Sequence, residues 1–207
     1  MALIKSLSDQ VYEYVFHEIQ VGKIAVGDKV DEAILIKELG ISRTPIREAL
    51  IQMTSDNILE NVPRKGFYVK TVDEKEMKEG FDVVSLLDGY AIELAMPNLT
   101  EDDIHRLSNA IDKMNLAINK LNYDMYYDWE SEFHSVYRER CNNKVLATLI
   151  EDLTRKHFRT GIYDKNKKEL AEYLAFVNND HIEVLKAIEN KDVEAAKKQL
   201  YLHWVEH

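Results

Sequence analysis

The sequence predicts a mostly α-helical protein in two parts, an N-terminal winged helix-turn-helix over residues 1–72 and an all-α antiparallel helical bundle over residues 73–207. Three observations carry this. The 207 residues include only 7 Gly and 3 Pro, so chain breakers are scarce and long helices are permitted. Near the N-terminus, a tight turn at Gly40-Ile41-Ser42 joins two short helical patterns, as in a helix-turn-helix. From Asp73 onward the apolar residues recur at helical spacing and no strand-like alternation is visible.

Composition narrows the classes. With 45% hydrophobic and 31% charged residues the chain is neither disordered nor fibrous. A single cysteine, Cys141, excludes an internal disulfide framework and a thiolate zinc cluster. No apolar run approaches the roughly 18 to 20 residues of a membrane span, and the N-terminus lacks a signal-peptide pattern. The expectation is a soluble, cytoplasmic protein with no membrane partner.

The first helix is expected from a cap at Ser8, through Val11, Val15 and Ile19, to about Gly22. A second runs from Asp31 to Leu39 and stops at Gly40, suited to a left-handed C-cap. The third starts with Thr44 as N-cap and Pro45 at the first helical position. In it Ile46, Ala49, Leu50 and Met53 form one apolar stripe, which leaves Arg43 and Arg47 together on the other side. Ile58 to Asn61 and Gly66 to Lys70 then read as a two-stranded wing with Val62-Pro63-Arg64-Lys65 at its tip.

This arrangement suits DNA. The net charge is −10 overall, but residues 1–70 carry only −1 and residues 42–70 carry +2, and a local patch governs nucleic-acid binding. Arginine at the start of a recognition helix can reach guanine or phosphate in the major groove, and a basic wing tip can approach the backbone. Two arginines four apart on a helix are otherwise ordinary solvated charges.

The run Leu39-Gly-Ile-Ser-Arg-Thr-Pro-Ile-Arg-Glu-Ala-Leu50, with Asn57-Ile-Leu59 and Pro63-Arg-Lys-Gly-Phe-Tyr-Val69, resembles the winged helix of GntR-family bacterial transcription regulators. The resemblance implies operator contacts by Arg43, Thr44 and Arg47, with Arg64, Lys65 and Gly66 in the wing. Two departures are visible: Val26 where the family often has proline, and Ala33 where some members carry a DNA-contacting arginine.

In the second part helices are expected over Glu74 to Met96, Glu101 to Leu121, Tyr123 to Cys141, Lys144 to Thr160, Lys165 to Glu189 and Val193 to His203. Breaks fall at Pro97-Asn98, Asn142-Asn143, Gly161 and Asn190-Lys191. Glu130 and His134 share one helical face with Tyr126, Phe133 and Tyr137, while His181 and His203 each lie on the apolar stripe of a different helix. Three imidazoles and a carboxylate converging in a bundle core suit Zn²⁺, Ni²⁺, Mn²⁺ or Fe²⁺. Spacing alone leaves other readings open, since a histidine on an apolar face is more often packed than ligating and a Glu/His pair four apart can simply support a helix.

Glu130-Ser-Glu-Phe-His134, Cys141-Asn-Asn-Lys-Val-Leu146, Asp180-His181-Ile182 and His203 resemble the effector domain of the FadR subgroup of that family, the type called FCD. The resemblance implies a divalent metal held by an acidic residue and three histidines, here Glu130, His134, His181 and His203, with a small carboxylate effector completing the coordination. Glu130 replaces the usual aspartate, and Ser85 and Asp88 stand where an arginine and a glutamate are frequent. Tyr126, Tyr137, His157 and Arg159 are further candidates for the effector pocket, whereas Asp128, Asp180, His17 and His105 read as surface residues.

The expected function is that of a transcriptional regulator and not an enzyme: a homodimeric repressor on a pseudo-palindromic operator, released by its effector. The alternative is a metal-dependent enzyme with Glu130 as general base and the three histidines holding the metal.

Overall fold

A computed structural model of the chain describes residues 5–71, 73–156 and 167–206. These fall into two compact units that divide between Asp73 and Glu74.

The first unit contains α1 (Leu7–Gln20), β1 (Lys29–Val30), α2 (Glu32–Leu39), α3 (Arg43–Ser55), β2 (Leu59–Val62) and β3 (Gly66–Val69). Ser6, not Ser8, caps α1: its hydroxyl accepts from the Asp9 amide while the Asp9 carboxylate accepts from the Ser6 amide. This reciprocal box satisfies two donors that a helix start otherwise leaves open. Asp31 caps α2 through the amides of Ala33 and Ile34, and Gly40 ends it at φ 65°, donating its amide to the Ile36 carbonyl. The N-cap of α3 is Ser42, not Thr44, and its side chain makes no cap hydrogen bond. Thr44 and Pro45 thus lie inside the first turn.

Val11, Val15 and Ile19 of α1 and Ile46, Ala49, Leu50 and Met53 of α3 form one core with Phe67 and Val69 of β3. The wing has three strands rather than two. β3 is central in an antiparallel sheet of order β1-β3-β2, with Val30 opposite Phe67 and Leu59 opposite Val69. β1 has only two residues, too few for an alternating pattern to reveal, and its pairing comes from across the chain.

The second unit comprises α4 (Glu74–Ala95), a 3-10 turn (Met96–Asn98), α5 (Glu101–Asn119), α6 (Tyr123–Arg140), α7 (Lys144–Lys156), α8 (Lys167–Glu189) and α9 (Val193–Val205). The predicted extension of α7 to Thr160, the break at Gly161 and the start at Lys165 lie outside the described residues. Thr100 and Asp103 form a second capping box at the start of α5, and Asp192 caps α9. Turns after α5, α6 and α8 use positive φ at Leu121, Asn142 and Lys191.

In this bundle α5 packs on α6 and α8, while α4 packs on α6, α7 and α9. Its core includes Ile92, Leu107, Met114, Phe133, Val184 and Leu200. Each such side chain contributes about 1.5–3 kcal/mol through removal of apolar surface from water. Unlike the apolar residues around them, Ser85, Asp88, His134, Asn178, His181 and His203 are polar and buried. Their presence inside the bundle is what requires a chemical explanation.

Candidate functional site

The first unit presents an exposed basic edge. Burial of Ile46, Ala49, Leu50 and Met53 fixes the roll of α3, so Arg43, Thr44 and Arg47 point outward from its first turns. Glu32, at the start of α2, lies 3.6 Å from Arg43 Nε and 3.7 Å from Arg47 Nε. One carboxylate therefore faces both guanidinium groups.

At the wing tip Val62 pairs with Gly66, and the Lys65 amide donates to the Val62 carbonyl at 3.0 Å. Arg64 adopts φ 65° and Gly66 φ 104°, the latter a conformation that glycine alone adopts readily. Arg64 and Lys65 are exposed, and Gly66 is half-buried.

The second unit encloses a polar centre. His134 of α6, His181 of α8 and His203 of α9 each offer a ligand atom, and these atoms lie within 4.8 Å of one another. The ring centroids are 5.3 Å apart for His134 and His181, 5.1 Å for His134 and His203, and 4.6 Å for His181 and His203. Burial, opposed by the nearby Asp88 carboxylate, pushes His134 down to about 3, so its ring is neutral near pH 7. A neutral imidazole is the form that ligates a metal. Three buried imidazoles at this spacing form a donor set that could hold a divalent metal ion, whereas a purely packed core would carry aliphatic side chains with no polar atoms to satisfy.

Glu130 is not part of this cluster. It is half-buried one turn before His134, and helical spacing supplied its face but not its depth. Asp180, read from the sequence as a surface residue, is instead largely enclosed at the site: its Oδ2 is 3.7 Å from His203 Nδ1, and its Oδ1 accepts from Gln199 Nε2 at 3.0 Å.

Asp88 is a buried hub. Arg138 donates from Nε to Oδ1 at 2.8 Å and from Nη2 to Oδ2 at 2.9 Å, Tyr137 donates its hydroxyl at 2.6 Å, and Trp204 donates Nε1 at 2.9 Å. Burial alone would raise the Asp88 carboxyl, but the Arg138 charge and the donated hydrogen bonds hold it well below the ordinary carboxylate range. The same pairing raises Arg138 despite its own burial. Arg138 and Trp204 were not singled out in the sequence, because their partner lies on a distant helix; the predicted end at His203 also stopped α9 just short of Trp204.

The remaining pocket candidates divide. Ser85 is buried and donates to the Asp82 carbonyl at 2.7 Å, which commits its hydroxyl to its own helix. Tyr137 is engaged by Asp88 and His134. Tyr126 is fully buried, and its hydroxyl has no hydrogen-bond partner among the described residues. His157 and Arg159 lie outside the described residues.

A winged helix with an exposed arginine pair, joined in one chain to a helical unit with a buried polar centre, defines a DNA-binding regulator with a ligand-sensing domain. The chain belongs to the GntR family of bacterial regulatory proteins: residues 7–69 match the gntR-family DNA-binding region and residues 79–206 match the FCD domain. It is 29% identical to the HTH-type transcriptional regulator McbR of Escherichia coli K12 over 198 residues, spanning 93% of this chain and 86% of that protein. The HTH-type transcriptional repressor RspR of the same organism is 20% identical over 197 residues, spanning 95% of this chain and 85% of the repressor. The solved structure of E. coli McbR/YncC superposes with a TM-score of 0.84 at 27% identity, covering 98% of this chain and 95% of that one. The protein is thus a DNA-binding transcription regulator with an effector-binding FCD domain, and the reading of the bundle as a metal-dependent enzyme finds no support in these relatives.

Proposed function

We propose that this regulator is a homodimeric repressor whose operator affinity falls when a small metabolite binds a divalent metal in the helical unit. The observation that carries the proposal is the buried triad His134, His181 and His203, with ligand atoms within 4.8 Å. Zn²⁺, Ni²⁺, Mn²⁺ or Fe²⁺ would each accept such a donor set. Three protein ligands leave a position for an effector donor, and the fully buried Tyr126 hydroxyl is a further group that a carboxylate effector could engage. Glu130 lies on the same helical face as His134, four residues earlier, from where a carboxylate could join the three histidines.

At the other end of the chain Arg43, Thr44 and Arg47 would enter the major groove while Arg64, Lys65 and Gly66 approach the backbone. Reading both halves of a pseudo-palindrome requires two winged helices, hence two chains. An exposed apolar stripe on α4, formed by Val83, Leu86 and Tyr90 with Val145 and Leu149 of the adjoining α7, supports a self-association surface. The repressor sense is supported by the likeness to RspR, a transcriptional repressor.

The test is elemental analysis of protein purified without chelators or nickel resin, beside His181→Ala, combined with fluorescence anisotropy on operator DNA. About one divalent metal per chain, lost in the variant, is expected. A wild-type protein that binds no metal after reconstitution overturns the metal reading, while an operator affinity unaffected by any candidate acid overturns the effector reading.

A further inference from the structure

The triad is held by a hydrogen-bond network whose donor directions can be worked out atom by atom. Tyr137 has one hydroxyl proton. Its oxygen lies 2.6 Å from Asp88 Oδ2 and 2.7 Å from His134 Nδ1. Asp88 is a carboxylate in a bidentate pair with Arg138, so it can only accept, and the Tyr137 proton must point to it. The Tyr137 oxygen is then an acceptor toward His134, and the hydrogen bond requires the proton to reside on His134 Nδ1. His134 Nε2 therefore carries the lone pair.

A separate set of residues gives His181 the same tautomer. His181 Nδ1 lies 3.1 Å from Asn178 Oδ1, and the Asn178 amide nitrogen is committed to Asn115 Oδ1 at 2.9 Å. An amide oxygen only accepts, so His181 donates from Nδ1 and presents its own Nε2 lone pair. The two Nε2 atoms are 3.4 Å apart. Two lone pairs facing each other in a buried site repel unless an electron-poor centre stands between or beside them.

We propose that Asp88, acting through Tyr137, is a positioning residue that locks His134 in the Nδ1–H tautomer and so delivers its Nε2 to the metal. The proposal rests on the metal reading above and adds the relay that makes His134 a competent ligand. A carboxylate bound directly to a ligating histidine is the usual arrangement; here a tyrosine is interposed, and Arg138 and Trp204 anchor the carboxylate from the other side. The Asp88 carboxylate thereby joins α4 to α6 and α9, the helices that carry His134 and His203.

The experiment compares wild type with Tyr137→Phe, which removes the interposed hydroxyl and leaves the Asp88–Arg138 pair in place. Imidazole ¹⁵N shifts of the metal-free protein report the His134 tautomer, and competition with a chromophoric chelator reports zinc affinity. The wild type is expected to hold Nδ1–H, whereas the variant is expected to populate Nε2–H and bind zinc about 10- to 100-fold more weakly. Asp88→Asn provides a second variant, because its amide can donate to Tyr137, turn the tyrosine proton toward His134 and reverse the tautomer. Zinc binding by the wild type with unchanged affinity and tautomer in both folded variants overturns the relay alone. Failure of the wild type to bind zinc overturns the metal reading, and the role of the relay with it.

Discussion

Arg43 and Arg47 illustrate how far single residues can be read from spacing. The apolar stripe of α3 determines which side is buried, so the outward direction of both arginines was legible without coordinates. If they read bases, Arg43→Ala or Arg47→Ala should each cost about 1–3 kcal/mol of specific operator binding, measured by anisotropy against a scrambled site. An equal loss on both DNAs would make them phosphate contacts. Asp88 is the opposite case. Its partners Tyr137, Arg138 and Trp204 lie 49, 50 and 116 residues away, and no local pattern announces such a meeting. Removing Arg138 would leave a buried carboxylate uncompensated, so Arg138→Ala should destabilise the second unit by about 3–5 kcal/mol in urea unfolding. Asp103 supplies a pH test. Although burial opposes it, hydrogen bonds from Arg140 and Thr100 bring Asp103 to about 2, below its unfolded value. A depressed acid stabilises the fold above the unfolded pKa, so this contribution is present above about pH 4 and declines as pH falls toward about 2. In Asp103→Asn that part of the acid dependence should disappear from the pH profile of the melting temperature.

Among the elements, those with strong periodicity and conventional caps were legible, and the exceptions have physical causes. Gly40 was identifiable as the end of α2 because a left-handed C-cap favours glycine, and it adopts φ 65°. An added Cβ there would meet no other atom within 4 Å, so Gly40→Ala isolates the backbone cost. It should destabilise the first unit by about 1–2 kcal/mol in chemical denaturation, with little change in the conformation of α3. The start of α3 was placed two residues late because Thr44 is a good capping residue by type. Ser42 is an equally good capping residue by type and occupies the site without using its side chain, so residue type alone does not separate the two positions. β1 escaped notice for a different reason: two residues form a strand only because Tyr68 and Phe67 pair with them from β3. In the bundle, the faces of α6, α8 and α9 were readable, which brought His134, His181 and His203 into view. Depth along those faces is not readable, which is why spacing groups Glu130 with the triad and places Asp180 at the surface.

For the whole molecule, reciprocity governs any coupling between the metal or effector and DNA. If ligand lowers operator affinity by a given factor, operator must lower ligand affinity by the same factor, and both legs can be measured. If the proposed homodimer forms through the exposed stripe of α4, Leu86→Glu should convert the protein to monomers in light scattering and remove cooperative operator binding. No described helix is long and apolar enough to cross a membrane. The overall charge of −10 opposes approach to DNA, which places the burden on the few cations of the first unit. Here the position of Glu32 matters. Its carboxylate lies 3.6 to 3.7 Å from Arg43 and Arg47 and is the anion already facing them. If the two arginines contact operator DNA, binding becomes an exchange of one anion for another: the two oxygens of Glu32 are divided between two guanidinium groups, whereas a guanine edge offers a pair of acceptors to a single one.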